Sequence, residues 1–140
     1  YQRRVRGMSV SFGTTVVANV EYKDKTNWIL AKVVNYNKTT KMYTLHDLIK
    51  DEQEREWNVP QNKFVLYPQN IKNIENGQRF LCPWFEKAIN QWTTIFYPCQ
   101  AIEIFPDSRD LSNLIVKVKF DGDARFTFVN SSWLIAPIKQ

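Results

Sequence analysis

Apolar and polar residues alternate over short stretches of this chain, with the two-residue period that is typical of β-strands. Polar segments such as Lys23–Asn27 and Asn37–Thr40 separate the stretches. No segment has a sustained apolar period of 3.6 residues, so we expect helix only in short turns, one of them near Glu86–Gln91. In the first half the predicted strands are Thr14–Glu21, Trp28–Tyr36, Met42–Leu48, Arg55–Val59 and Phe64–Tyr67.

The second half of the chain has the same plan. Asp121-Gly122-Asp123 is typical of a hairpin turn, because Gly122 can adopt the positive φ angle that such turns need. The predicted strands are Arg79–Phe85, Thr94–Phe105, Leu114–Phe120, Arg125–Val129 and Trp133–Ile138.

The two halves also match each other in sequence. Residues 28–33 (WILAKV) correspond to residues 96–101 (FYPCQA) at an offset of 68, and residues 64–68 (FVLYP) correspond to residues 133–137 (WLIAP) at an offset of 69. A nearly constant offset of one small domain indicates an internal duplication.

Five short strands with tight turns in about 60 residues are typical of a small SH3-like barrel, since a flat sheet of that size would leave its edges and one face exposed. We therefore predict an all-β protein of two SH3-like five-stranded barrels, packed in tandem as a rigid pair because units this small are marginal alone. The predicted organisation is a basic arm over residues 1–13, a first barrel over 14–68, a linker over 69–77 and a second barrel over 78–140.

Charge is distributed unevenly along the chain. The formal net charge is +5, but Arg3, Arg4 and Arg6 supply three of these charges, which leaves +2 for the rest. Non-specific nucleic-acid binding needs many clustered Lys and Arg residues. The arm can therefore contact nucleic acid or an acidic partner, or act as a solvated tail, whereas the barrels are expected to serve another purpose.

Candidate catalytic residues are scarce. The single histidine, His46, has no serine nearby in sequence, and Cys82 and Cys99 lack the spacing of a zinc site or a nucleophile motif. We expect both cysteines to be buried thiols, with a disulfide as the alternative. No apolar stretch is long enough for a membrane span. The sequence thus predicts a non-catalytic protein without cofactor, metal or membrane partner.

Four segments of the chain resemble a known family. They are Asn27–Val34 (NWILAKVV), Tyr43–Asp47 (YTLHD), Thr93–Tyr97 (TTIFY) and Val118–Asp121 (VKFD). In order and spacing they resemble the tandem Tudor module of the SAGA-associated factor, the histone-reading subunit of the SAGA acetyltransferase complex. The resemblance implies a nuclear reader of the histone-three tail trimethylated or dimethylated at its fourth-residue lysine. It also implies that this reader recruits the acetyltransferase complex, whose other subunits would be its partners.

The resemblance further implies a methyl-lysine cage in the second Tudor unit. The family's cage positions fall on Trp84, Tyr97 and Phe120. Trp84 stands where the family has a tyrosine, and the longer segment Glu86–Trp92 leaves Trp84 and Phe85 as alternatives for that position.

Other aromatic residues in so small a barrel are expected in the core. We assign Trp28, Phe64 and Trp133 to it. Tyr97 follows Phe96, and only one of two neighbouring strand residues can point inward.

Aromatic side chains suit a trimethylammonium group because that group has a full charge but no N–H to donate. The ring quadrupole attracts the cation with about 0.5–2 kcal/mol for each good contact, and the apolar ring face accommodates the methyl groups. Carboxylates at the rim would add attraction and widen tolerance to lower methylation states; the candidates are Glu86, Asp121 and Asp123. Thr94 matches a polar family position that can hydrogen-bond the peptide.

An acidic run follows the third predicted strand. Its members are Asp47, Asp51, Glu52, Glu54 and Glu56. A charge run is usually a solvated face, but beside a cationic tail a carboxylate can pair with the α-ammonium group. The resemblance implies that the first unit holds the free histone N-terminus, and Asp47 matches one acidic family position. The second position falls on Ile49 by direct count, and a local shift would bring in Asp51.

Two other functions remain open from the sequence. A nucleic-acid-binding pair of barrels would use the arm arginines with Lys117, Lys119 and Arg125. A scaffold domain that binds neighbouring subunits would expose an apolar patch without an open cage.

Overall fold

The structure, a computed structural model, describes residues 10–48 and 54–136. Most of the predicted N-terminal arm, Ile49, Asp51 and the last residues of the tenth predicted strand lie outside these ranges. The described residues form nine β-strands and two 3₁₀ helices. The chain divides into two compact units, residues 1–67 and 68–140. The predicted all-β class is confirmed.

The first unit is a five-stranded antiparallel sheet that curls into an SH3-like barrel. Its strands are β1 (Thr15–Tyr22), β2 (Lys25–Asn37), β3 (Met42–Asp47), β4 (Glu56–Val59) and β5 (Phe64–Leu66). The spatial order is β5-β1-β2-β3-β4, because β5 returns through the 3₁₀ helix Gln61–Lys63 to pair with β1. The unit encloses a core of small aliphatic side chains with Tyr43 and Phe64.

The hairpin between β1 and β2 is tight. Tyr22 pairs with Lys25, and the two central residues, Lys23 and Asp24, have φ angles of 53° and 64°. Positive φ at both central positions is the type I′ geometry, whose twist matches that of the flanking strands.

The second unit repeats this arrangement. Its strands are β6 (Arg79–Glu86), β7 (Gln91–Pro106), β8 (Leu114–Phe120) and β9 (Thr127–Asn130), in the antiparallel order β6-β7-β8-β9. The predicted helix near Glu86–Gln91 is wrong, because β6 and β7 pair as far as these two residues. The four residues between them form a turn, which is too short for a helix.

The tenth predicted strand, Trp133–Ile138, is also wrong over its described part. Asn130 accepts a hydrogen bond from the Ser132 N–H at 2.9 Å, and Ser131–Trp133 form a 3₁₀ helix instead. Ile135 then makes an isolated bridge to Leu81, with N–O distances of 2.9 and 3.0 Å. This bridge occupies the place that β5 has in the first unit.

The duplication seen in the sequence is present in the structure. The β2–β3 register shifts between Val33 and Asn35, and the β7–β8 register shifts 68 residues later, between Ala101 and Glu103. Gly13 and Gly77, each with φ 88°, lead into the first strands of the two units. Their N–H groups donate to Val33 and Ala101 at 2.7 and 2.6 Å.

Of the three aromatic residues assigned to the core, Phe64 is buried, as predicted. Trp28 is half-buried, because strand alternation turns its neighbour Ile29 inward instead. Trp133 is half-buried and packs against the core of the second unit.

Candidate functional site

Three strands of the second unit each carry a row of alternate side chains on the same face, which runs from the buried core to one end of the sheet. On β6 these positions are Phe80, Cys82 and Trp84; on β7, Ala101, Cys99 and Tyr97; on β8, Val116, Val118 and Phe120. The last residue of each row is aromatic. The period of two therefore brings all three predicted cage residues to the same end of the barrel.

The three rings are close together and lie edge to face. The Trp84 ring centroid is 5.0 Å from that of Phe120 and 6.5 Å from that of Tyr97, with interplanar angles of 66° and 73°. Together with Glu86, Pro98 and Asp121 they line a cavity of about 320 Å³. We call this the acidic cavity, because both of its charged side chains are carboxylates.

The rings differ in how deeply they are buried. Tyr97 is 38% exposed whereas its neighbour Phe96 is 3% exposed, so Phe96 is the buried member of that pair. Phe120 is only 2% exposed, although its ring lines the cavity. Tyr97 thus offers an accessible ring face, and Phe120 closes the inner wall.

Trp84, rather than Phe85, lines the acidic cavity. Phe85 packs against Trp92 with a centroid distance of 5.2 Å, and Trp92 packs against Trp133 at 4.6 Å. The alternation with Phe80 was the sequence signal that could have decided between the two residues.

A bulge in the β6–β7 hairpin positions Trp84. Pro83 pairs with Phe96 and Phe85 with Trp92, so three residues of β7 stand opposite Trp84. The Thr93 hydroxyl accepts the Trp84 N–H at 3.0 Å and donates to the Ile95 carbonyl at 2.6 Å. Sequence reasoning missed Thr93, because nothing local signals the bulge.

The predicted peptide contact Thr94 is half-buried in the same bulge. It is not part of the lining of the acidic cavity. The structure therefore does not bring Thr94 together with the three rings.

A second cavity, of about 200 Å³, shares the Trp84 and Phe120 side chains with the first. We call it the basic cavity, since its lining contains two cationic side chains and one carboxylate: Trp84, Phe85, Lys87, Phe120, Asp123, Arg125, Phe126 and Thr127. Phe85, the alternative cage residue, and Asp123, a predicted rim residue, lie here. A cationic ligand is repelled by this lining and attracted by that of the acidic cavity.

Asp123 is already engaged within the basic cavity. Its carboxylate accepts the backbone N–H of Arg125 at 3.0 Å and lies 3.5 Å from the guanidinium Nε. The backbone hydrogen bond from Arg125 lowers the pKa of Asp123, with a smaller coulombic contribution from the same residue. Asp123 is therefore ionised but largely compensated.

The two carboxylates of the acidic cavity are in different states. Asp121 accepts a hydrogen bond from the Arg79 guanidinium, and this bond lowers the pKa of Asp121 and raises that of Arg79. Glu86 is exposed at the end of β6. One carboxylate is thus held by a cation, and the other is accessible to a ligand.

Comparison with known proteins identifies the family. The profile of the SGF29 tudor-like domain matches residues 9–136. The chain belongs to the SGF29 tudor-like family. Among curated proteins, none matches this chain. A crystal structure of the SHH1 SAWADEE domain in complex with an H3K9me3 peptide is similar at 13% identity and a TM-score of 0.43, covering 91% of this chain and 100% of that one.

In this SGF29 tudor-like protein the predicted N-terminus site is partly visible. The Asp47 side chain is 2% exposed and lies 3.1 Å from the Arg55 guanidinium, which in turn lies 4.7 Å from the Tyr22 ring centroid. Asp51 lies outside the described residues. Asp47 is therefore a buried member of an ion pair.

The cysteines of this family member are buried free thiols, as predicted. Burial raises the pKa of Cys82 well above its ordinary value and that of Cys99 to about 12. Neither thiol is ionised near neutral pH, which makes both poor nucleophiles. Within residues 10–48 and 54–136, no group of three or more His, Cys, Asp or Glu side chains could hold a metal ion. None of the described helices is long and apolar enough to cross a membrane.

Proposed function

We propose that this chain is a non-catalytic chromatin reader whose second unit binds a methylated lysine of the histone-three tail. The observation that supports this most is the convergence of Trp84, Tyr97 and Phe120 on one open cavity that also carries carboxylates. A methylated ammonium group gains cation–π attraction from such rings and coulombic attraction from Glu86. The cavity volume lies within the range of roughly 300–1,000 Å³ found for small-ligand sites.

We propose further that the lysine is the fourth residue of the tail, in its trimethylated or dimethylated form. The support for this choice is the resemblance of the chain to the SAGA-associated factor. Two or three ring contacts, offset by the cost of ordering a flexible tail, suggest affinity of about 1 μM. The resemblance also implies that the free N-terminus of the tail lies at the first unit, where Asp47 is buried against Arg55 and would contribute through its charge rather than through direct contact. Such a reader would act in the nucleus and recruit a histone acetyltransferase complex through its other subunits.

The nucleic-acid alternative has less support. Lys117 lies 3.9 Å from Glu103 and 4.5 Å from the Phe126 ring centroid, and Arg125 is paired with Asp123. Of the three basic residues of the second unit named for that function, two are therefore engaged within the unit.

The test is a calorimetric titration with histone-three tail peptides, unmodified and trimethylated at the fourth residue. Tyr97→Ala is the informative variant, because Tyr97 is exposed and its loss does not empty the core. Phe128→Ala is the matched control, since Phe128 is 58% exposed in the same unit and lines neither cavity.

We expect methyl-dependent binding by the wild type and by Phe128→Ala. Tyr97→Ala should weaken it by about 3- to 30-fold, which corresponds to the loss of one cation–π contact. Equal and weak binding of both peptides by all three proteins would contradict the proposed function.

A further inference from the structure

The Arg79–Asp121 pair lies across β7 beside the acidic cavity. Arg79 is the first residue of β6 and pairs with Gln100 of β7. Asp121 directly follows β8, and its N–H donates to the Pro98 carbonyl at 3.1 Å. Pro98 itself lines the cavity, so the salt bridge borders the opening next to the aromatic rings.

The methylation states of lysine differ in how they interact with a carboxylate. A trimethylammonium group has no N–H and responds only to charge, whereas monomethyl and dimethyl forms have N–H groups that lose water on entering a cavity. Those N–H groups need an acceptor, because a buried donor without one costs about 1–3 kcal/mol. A carboxylate that accepts a charge-assisted hydrogen bond from lysine therefore favours the lower methylation states.

In this cavity the Asp121 carboxylate already has a cationic partner. Arg79 donates to its Oδ2 atom, both side chains are about half exposed, and the guanidinium charge offsets the attraction of the carboxylate for a second cation. Glu86 is an exposed carboxylate with no ion pair among the described residues, so it attracts every methylation state of the ligand alike. The carboxylate next to Phe120 and Pro98 is thus the one whose attraction for a ligand cation is reduced by a guanidinium.

We propose, on the basis of the function proposed above, that Arg79 is a specificity-determining residue that shifts the acidic cavity towards higher lysine methylation by competing for Asp121. Removal of the guanidinium leaves both oxygens of this carboxylate open to the N–H of monomethyl-lysine and removes a positive charge that repels the ligand. Arg79 is not part of the cavity lining, so its effect is expected on selectivity rather than on the capacity to bind.

The experiment measures dissociation constants for monomethylated and trimethylated tail peptides with four variants. Arg79→Gln removes the cation, and Arg79→Lys keeps it. Arg79→Gln with Asp121→Asn removes the acceptor as well. Arg109→Gln is the matched control, since Arg109 is an exposed arginine of the same unit that lies 3.5 Å from the Asp107 carboxylate, and neither residue lines the cavity.

We expect Arg79→Gln to lower the ratio of the monomethyl to the trimethyl dissociation constant by about 3- to 10-fold, the size of one exposed charge-assisted hydrogen bond. Arg79→Lys and Arg109→Gln should leave the ratio within about twofold of wild type, and the double variant should restore it.

An unchanged ratio in Arg79→Gln, with trimethyl binding intact, would overturn this inference and leave the reader function standing. A parallel loss of affinity for both peptides would also overturn it, because it would assign Arg79 a structural role. Failure of the wild type to distinguish trimethylated from unmodified peptide would refute the proposed function and this inference with it.

Discussion

The two units differ in the residues that lie at one end of the barrel, at equivalent positions of the sheet. Ala31 pairs with Asp47 as Cys99 pairs with Phe120, and Ala18 pairs with Ile29 as Cys82 pairs with Tyr97. By this register the first unit has Val20, Ile29 and Asp47 where the second has Trp84, Tyr97 and Phe120. In the first unit aliphatic side chains and an ion pair occupy this end of the barrel. In the second unit the equivalent end has an aromatic cavity.

The hairpins explain how the same strands lead to different ends. In the first unit a two-residue turn keeps β1 and β2 in continuous register, and Val20 and Ile29 are buried. In the second unit a four-residue turn and the bulge at Thr93 separate Trp84 from its regular pairing. The comparison teaches that an aromatic cavity can arise at a barrel end through side-chain size and hairpin length, with the first four strands in the same order.

The largest expected effect comes from giving the second unit the side chains of the first. Trp84→Val with Tyr97→Ile should reduce affinity for a trimethylated peptide by about 30-fold or more, because two cation–π contacts of about 1 kcal/mol or more are lost. Calorimetry measures the affinity.

The control for this swap is a urea titration, since Trp84 also packs against the core. Tyr97→Ile alone should keep wild-type stability and still lose part of the affinity. Full retention of methyl-dependent binding by the folded double variant would refute the aromatic cage.

A smaller effect is expected at the closed end of the first unit. Asp47→Asn removes the charge that compensates Arg55 and should lower the free energy of unfolding by about 1–3 kcal/mol. Asp24→Asn is the control, because Asp24 is exposed and its φ angle of 64° suits asparagine. Equal stability of the two variants in urea would show that the Asp47–Arg55 pair does not stabilise the barrel end.

The smallest effect is expected at the bulge. Thr93→Val leaves the Trp84 N–H without its acceptor and should weaken trimethyl-peptide binding by about 3- to 10-fold, or roughly 1 kcal/mol. Thr93→Ser keeps the hydroxyl and should bind like wild type. If valine and serine had the same effect, the hydroxyl would have no part in orienting Trp84.

Features that depend on local periodicity were predictable from the sequence. Alternation and the 68-residue offset predicted nine of the ten strands and the barrel class, and the same period of two places the three rings together. The tenth strand failed because the Asn130 side chain captures a backbone N–H and starts a 3₁₀ helix.

The features of the candidate site that the sequence did not predict depend on contacts between residues far apart in the chain. Arg79 and Asp121 are 42 positions apart and meet only through the pairing of both flanking strands with β7. The sequence predicts Asp47 as a ligand contact within an acidic run, yet its side chain is 2% exposed because it pairs with Arg55, which directly precedes β4. No pattern within a single strand records either pairing.

Phe120 has a consequence for how this module could have diverged after duplication. Its side chain is 2% exposed and yet lines both cavities. The same ring therefore contributes to the hydrophobic core and to the proposed binding site. Substitution of Phe120 would disturb both core packing and the cavity wall, whereas Tyr97 can vary at little cost to the fold. Changes in ligand preference among descendants of such a unit are therefore expected to begin at the exposed side of the opening and to leave its floor intact.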